Sequence, residues 1–205
     1  MSSVLELNMQ ISNSGLQKII QREGVFLKTY KDSVGILTIG TGHTSAAGPP
    51  RVTPGLVITK QQNDQILRSD LAPIERQAAQ YIKVKVTQNQ YDAIISIVFN
   101  VGPKFWAGTA IRLLNKGDYK GAATAIMLWN KPPEIIGRRR SEQQQFLTPD
   151  SAAAAHGSAG AAVVAGGAAL TQTPHHIWPW IVGGTLLAAL LIWLGVHSYE
   201  RSTNA

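Results

Sequence analysis

Between Thr87 and Gly102 the large apolar positions fall at Tyr91, Ile94, Ile95, Val98 and Phe99, and Ala93 and Ile97 fill the other side. That spacing predicts a helix apolar almost all round, which belongs at the buried centre of a domain. It ends at Asn100 and Gly102, where a glycine can close the last turn. Ser14 with Gln17, Thr59 with Gln62 and Thr87 with Gln90 have capping-box spacing and predict three helix starts. Further helices are expected near Thr109 to Asn115, stopping at Gly117, then from Asp118 to about Trp129, and roughly from Arg138 to Leu147. Pro73 falls inside the helix that follows Thr59 and is expected to end it early or bend it. One stretch reads as strand: Gly35 to His43, short, β-branched and punctuated by glycines, suits a small hairpin. The pattern is that of an α+β domain, mostly helical, with a small β element near its front.

A different pattern begins after Asp150. Of the 31 Lys, Arg, Asp and Glu residues, 29 precede residue 151, and Ser151 to Tyr199 contains none. Ser151 to Pro174 is rich in Ala and Gly and poor in large apolar groups, so it reads as a linker, with a second membrane segment over 151–170 as the alternative. Ile177 to Val196 has 15 apolar residues in 20 and no charge. As a helix that length matches the roughly 30 Å of a bilayer core. Trp178 and Trp180 at one end, and Trp193 and Tyr199 near the other, suit the two headgroup levels. The expected organisation is a folded domain over 1–150, a linker over 151–174, and an anchor over 175–205 whose C-terminal transmembrane helix is 177–196. The segment MSSVLELNMQISNSG has neither the basic stretch nor the apolar run of a secretory signal. Arg201 is the only Lys or Arg within about 20 residues of the span, so charge does not set its orientation.

Residues 1–150 hold 18 Lys and Arg against 11 Asp and Glu, a surplus of seven positive charges. An anionic polymer or surface is the expected partner, and nucleic acid, acidic lipid and bacterial wall all satisfy charge alone. The absence of cysteine excludes disulfides, thiolate metal sites and a cysteine nucleophile.

The groups able to do chemistry concentrate in one front segment. Glu23 precedes Gly24 at the end of the first predicted helix, Asp32 lies in the turn before the hairpin, and Thr38 lies within the hairpin. A carboxylic acid, a carboxylate and a nearby hydroxyl are the parts needed to cleave a glycosidic bond by acid/base catalysis. By spacing alone, solvated surface carboxylates remain the ordinary alternative.

The stretches REGVFLKTYKDSVGILTIGTGHT (22–44), TQNQYDAIISIVFNVG (87–102), AIRLLNKGDYKGAA (110–123), Trp129 and GRRRSEQQQFL (137–147) together resemble the phage-type lysozymes, or endolysins, of glycoside hydrolase family 24. The resemblance implies a lysozyme-like catalytic domain acting on bacterial peptidoglycan, with no cofactor and no metal. Glu23 matches the family's general acid, which protonates the glycosidic oxygen between N-acetylmuramic acid and N-acetylglucosamine. Asp32 matches the carboxylate that positions and activates water or stabilises the sugar cation, and Thr38 matches the residue that helps hold that water. The family's inverting chemistry implies carboxyl groups roughly 6.5 to 9.5 Å apart. It also implies a Glu23 pKa raised by partial burial, with one of Arg138, Arg139 and Arg140 nearby. The family fold ends near Leu147, so the anchor is an addition, one that would tether the enzyme to a membrane for host lysis on the wall side of the inner membrane.

His43 is expected to be structural, held by a carboxylate such as Asp70. Tyr30, Phe105, Trp106 and Trp129 are expected mostly in the core, with a sugar stack as the alternative for one of them. The five histidines lack zinc-ligand spacing. Arg138 to Arg140 come without any recognition motif, so no nucleic-acid partner is expected. The competing functional classes are a holin-like membrane-permeabilising protein whose lysozyme domain is secondary, and a non-enzymatic wall-binding module. Lipid bilayer and peptidoglycan are the expected partners, and the sequence leaves the oligomeric state open.

Overall fold

The computed structural model describes residues 8–150. The expected linker, the possible second membrane segment and the anchor over 177–196 lie outside the described residues. Among the described residues no helix is long and apolar enough to cross a membrane.

The chain runs α1 (Asn13–Glu23), β1 (Phe26–Lys31), β2 (Leu37–Gly40), β3 (His43–Thr44), α2 (Lys60–Tyr81), α3 (Gln88–Val101), α4 (Thr109–Leu114), α5 (Tyr119–Ile126) and α6 (Ile136–Leu147). Short 3₁₀ turns cover Pro103–Ala107 and Pro133–Ile135. The strands form one antiparallel sheet in the order β1-β2-β3, with Tyr30 opposite Thr38 and Thr38 opposite Thr44. The mostly helical α+β expectation holds, with more sheet than the sequence pattern indicated. Phe26–Lys31 does not alternate cleanly between apolar and polar, yet it pairs with β2 on one edge. On its other edge Thr29 N donates to Leu56 O at 2.9 Å and Ile58 N to Leu27 O at 2.9 Å.

Two apolar clusters organise the domain. Ile39, Val52, Ile58 and Ile66 pack beneath the sheet, while α3 sits inside a larger helical core with Leu16, Ile19, Leu71, Phe105, Leu114 and Phe146. Helix α2 joins them, giving Ile66 to the first and Leu67, Leu71, Ile74 and Ala78 to the second. Tyr91, Ala93, Ile94, Ile95, Ile97 and Val98 are all buried, as the apolar pattern of α3 predicts.

Several boundaries differ from expectation. The first helix is capped by Ser12 rather than Ser14, because Asp92 fixes Ser12 by accepting from its backbone N at 3.0 Å and its hydroxyl at 2.5 Å, leaving Ser12 Oγ to accept from Gly15 N at 2.9 Å. Pro73 does not end α2, which continues through it to Tyr81. Burial of Leu71, Ile74 and Ala78 on either side of the proline offsets the lost backbone hydrogen bond. Helix α5 stops at Ile126 rather than near Trp129, and α6 begins two residues before Arg138.

Candidate active site

Helix α1 ends at Gly24, whose φ of 80° is open to glycine at little cost, and this sharp exit leaves Glu23 at the junction of the helical core with the sheet. The Glu23 side chain is only 4% exposed and its Oε1 lies 2.6 Å from Arg138 Nη1. The two groups meet closely without the alignment of a straight hydrogen bond. Burial pushes the Glu23 pKa up, the Arg138 guanidinium opposes that shift, and Glu142 adds to it. The net direction is upward, which favours the protonated acid.

Asp32 follows β1 and is held by its own turn. Its Oδ1 accepts from Val34 N and from Ile36 N, both at 2.8 Å, while Asp32 N donates to Ile36 O at 2.9 Å. These bonds fix the carboxylate rotamer. Oδ2 is buried and takes no hydrogen bond among the described residues. Thr38, fully buried on β2, donates its hydroxyl to Ile36 O at 3.2 Å, so the loop that fixes Asp32 also orients Thr38. Tyr30 ties the three positions together: it faces Thr38 across the sheet, and its pKa is raised by burial and then by the nearby charges of Asp32 and Glu23. The turn links Asp32 and Thr38, and Glu23 lies close enough to Tyr30 to act on it by charge.

Behind Glu23 lies a polar network whose extent the sequence did not indicate. Of the three successive arginines, Arg138 is the neighbour of Glu23. Its Nε donates to Glu142 Oε1 at 3.0 Å and its Nη2 to Ser96 O at 3.3 Å. Fully buried Arg139 donates to Glu142 Oε2, to Asn100 Oδ1 and, through Nε, to Trp129 O at 3.0 Å. Arg22 reaches Ser96 Oγ at 3.0 Å and Gln145 Oε1 at 2.8 Å. The available signal was the placement of Glu142 three and four residues after Arg139 and Arg138, which puts all three on neighbouring positions of one helix.

His43 and Asp70 pair as expected. The imidazole is 1% exposed, Nδ1 lies 3.0 Å from Asp70 Oδ2, and Nε2 donates to Pro50 O at 2.9 Å. Phe105 and Trp106 are buried, Trp129 packs on the core, and Tyr30 is half-buried at the site.

This arrangement of a buried glutamic acid with a raised pKa and a carboxylate fixed by its own turn occurs in a chain whose residues 20–143 match the phage lysozyme family model. The chain belongs to the phage lysozyme family. It is 42% identical over 124 residues to the endolysin of Salmonella phage P22, covering 60% of this chain and 85% of that one. A crystal structure of a mutant P22 lysozyme superposes with a TM-score of 0.65 at 40% identity, over 68% of this chain and 99% of the other. The muramidase domain of SpmX from Asticaccaulis excentricus superposes with a TM-score of 0.61 at 31% identity, over 69% of this chain and all of that domain. The chain is an enzyme of the lysozyme class.

Proposed function

We propose that this enzyme is an inverting muramidase, cutting the β-1,4 bond between N-acetylmuramic acid and N-acetylglucosamine in bacterial peptidoglycan. Glu23 serves as general acid, Asp32 activates water, and Thr38 helps hold it. The observation that carries the reading is the inequality of the two carboxyls. Glu23 sits where burial favours its proton, whereas Asp32 is pinned through one oxygen and offers the other. Glu23 gives its proton to the leaving glycosidic oxygen as the bond to the anomeric carbon breaks. Asp32 Oδ2 takes a proton from the water that attacks the opposite face of the sugar, so the configuration inverts. Arg138 then faces the newly formed Glu23 carboxylate and stabilises it until a proton returns from solvent. Such a route needs room for water between the two carboxyl groups, on the order of 6.5 to 9.5 Å.

Residues 1–150 form the catalytic unit in this reading, 151–174 the linker, and 175–205 a membrane anchor that keeps the enzyme beside the wall for host-cell lysis. The support for the anchor is the uncharged, apolar run Ile177 to Val196. Glu23→Gln is expected to lower the rate of clearing of purified wall by about 10² or more, the scale of a lost general acid. Activity within about tenfold of wild type would remove Glu23 from that role. Retention of configuration in the first-formed sugar, read by proton NMR, would exclude the inverting route.

A further inference from the structure

We propose that Glu142 is a positioning residue for Glu23, acting through Arg138: it fixes the guanidinium in place and shares its charge. The inference rests on the reading of Glu23 as general acid. Glu142 is 0% exposed and lies on α6, outside the front segment that carries the proposed chemistry. Its Oε1 accepts from Arg138 Nε at 3.0 Å and from Ser96 Oγ at 2.7 Å, and its Oε2 accepts from Arg139. Arg138 is thereby gripped on one side by Glu142 while another edge of the same guanidinium, Nη1, meets Glu23 at 2.6 Å. A planar guanidinium with one edge fixed has no freedom to turn the other edge away.

Charge gives the second half of the argument. Around Glu142 stand Arg138 and Arg139 from its own helix and Ser96 from α3, and beyond them Glu23 and Arg22 from α1, Asn100 from α3, and Ser141 and Gln145 of α6, which Arg22 reaches. Three guanidiniums surround two carboxyls. Were Glu142 neutral, Glu23 would face the positive field of Arg138 and Arg139 without the carboxylate that sits against both guanidiniums, and would give up its proton more readily. Glu142 is in fact one of the causes that raise the Glu23 pKa, behind burial. A general acid must hold its proton at the working pH, so a residue that never touches the sugar governs how far into alkaline pH the enzyme works.

The experiment is a pH profile of wall clearing for the full chain and its variants, with circular dichroism to confirm folding. Glu142→Gln keeps the shape and removes the charge. Its activity relative to wild type should be on the order of tenfold lower at pH 8 than at pH 5, because the alkaline limb moves down. Glu142→Asp should restore much of that limb. In an Arg138→Gln background, adding Glu142→Gln should displace the limb by well under the tenfold expected in wild type, since the part carried through Arg138 is already gone. This comparison also serves if Glu142→Gln by itself does not fold. A uniform loss at every pH would make Glu142 structural only and overturn the proposal, as would a full tenfold displacement of the limb in the double variant. Should Glu23→Gln itself remain active, the acid assignment fails; should Glu23→Gln be inactive while Glu142→Gln runs parallel to wild type, only the role of Glu142 fails.

Discussion

Two buried sites in this domain, the His43–Asp70 pair and Glu23, both lose stability as pH rises, for different reasons. Pro50 O only accepts, so His43 Nε2 carries a proton, and the Asp70 carboxylate at Nδ1 favours a second one. Burial pulls the His43 pKa down, but the hydrogen bond and charge of Asp70 outweigh it and the net direction is up. Burial pushes Asp70 up as well, with the imidazolium opposing, so the pair gains stability when His43 is charged. A raised histidine contributes its stability fully below the unfolded value of 6.5 and loses it as pH rises through the folded value. His43→Asn should therefore cost about 1–3 kcal/mol at pH 5.5 and less at pH 9, read from urea unfolding at each pH. An equal cost at both would mean the pair is a neutral hydrogen bond. Glu23 moves in the same direction for a different reason, because its raised pKa makes the ionised form a liability to the fold. From pH 4.5 upward through the folded value wild type loses stability that Glu23→Gln keeps. The stability of Glu23→Gln relative to wild type should thus improve between pH 4 and pH 8, and a difference independent of pH would contradict the environment assigned to this acid.

At the scale of elements, local signals were legible where local bonds decide. Thr59 and Thr87 form the capping boxes their spacing predicts, with Gln62 N donating to Thr59 Oγ1 at 3.1 Å and Thr59 N to Gln62 Oε1 at 2.7 Å. Ser14 fails because the cap is chosen by Asp92, 80 residues from Ser12. Helix α6 shows the same limit more strongly: its buried face is Arg139, Glu142, Gln145 and Phe146, so a mostly polar stripe faces inward and no hydrophobic period reveals it. The front half of the proposed site, Glu23, Asp32 and Thr38, lies within 16 residues of chain, but spacing alone left surface carboxylates as the alternative and only the resemblance of the whole stretch singled the three out. Its rear half is assembled from α3 and α6, whose side chains meet only in the fold. Pro73 offers a test of how far packing overrides propensity. Its ring leaves Ser69 O without the usual helical donor, and Pro73→Ala restores an N–H at a half-buried position. The substitution should stabilise the domain by about 1 kcal/mol or more in thermal unfolding. A loss of stability would show that α2 is shaped around the proline.

In the proposed organisation the catalytic unit ends at Asp150, and the Asp150 side chain is part of the fold. The Asp150 carboxylate accepts from Gln88 N at 2.8 Å and Asn89 N at 3.0 Å, while Asn89 Nδ2 donates to Thr148 O and Pro149 O, both at 3.2 Å. The end of the domain therefore supplies an anionic cap to the first turn of α3, the helix at the centre of the core. A chain ending at Asp150 should keep the thermal midpoint of the full-length domain and clear purified wall from solution. One ending at Leu147 should lose about 1 kcal/mol, or about 3 °C, as the cap is removed. The full-length chain should sediment with membranes and resist carbonate, because Ile177 to Val196 in water would expose an apolar cylinder that lipid accommodates as a helix. Wall binding by the shorter chain should weaken with salt, since its surplus of positive charge acts over about 8 Å at physiological ionic strength. Full-length protein remaining in the soluble fraction without detergent would remove the anchor, and an unfolded chain ending at Asp150 would show that the domain depends on residues beyond that cap.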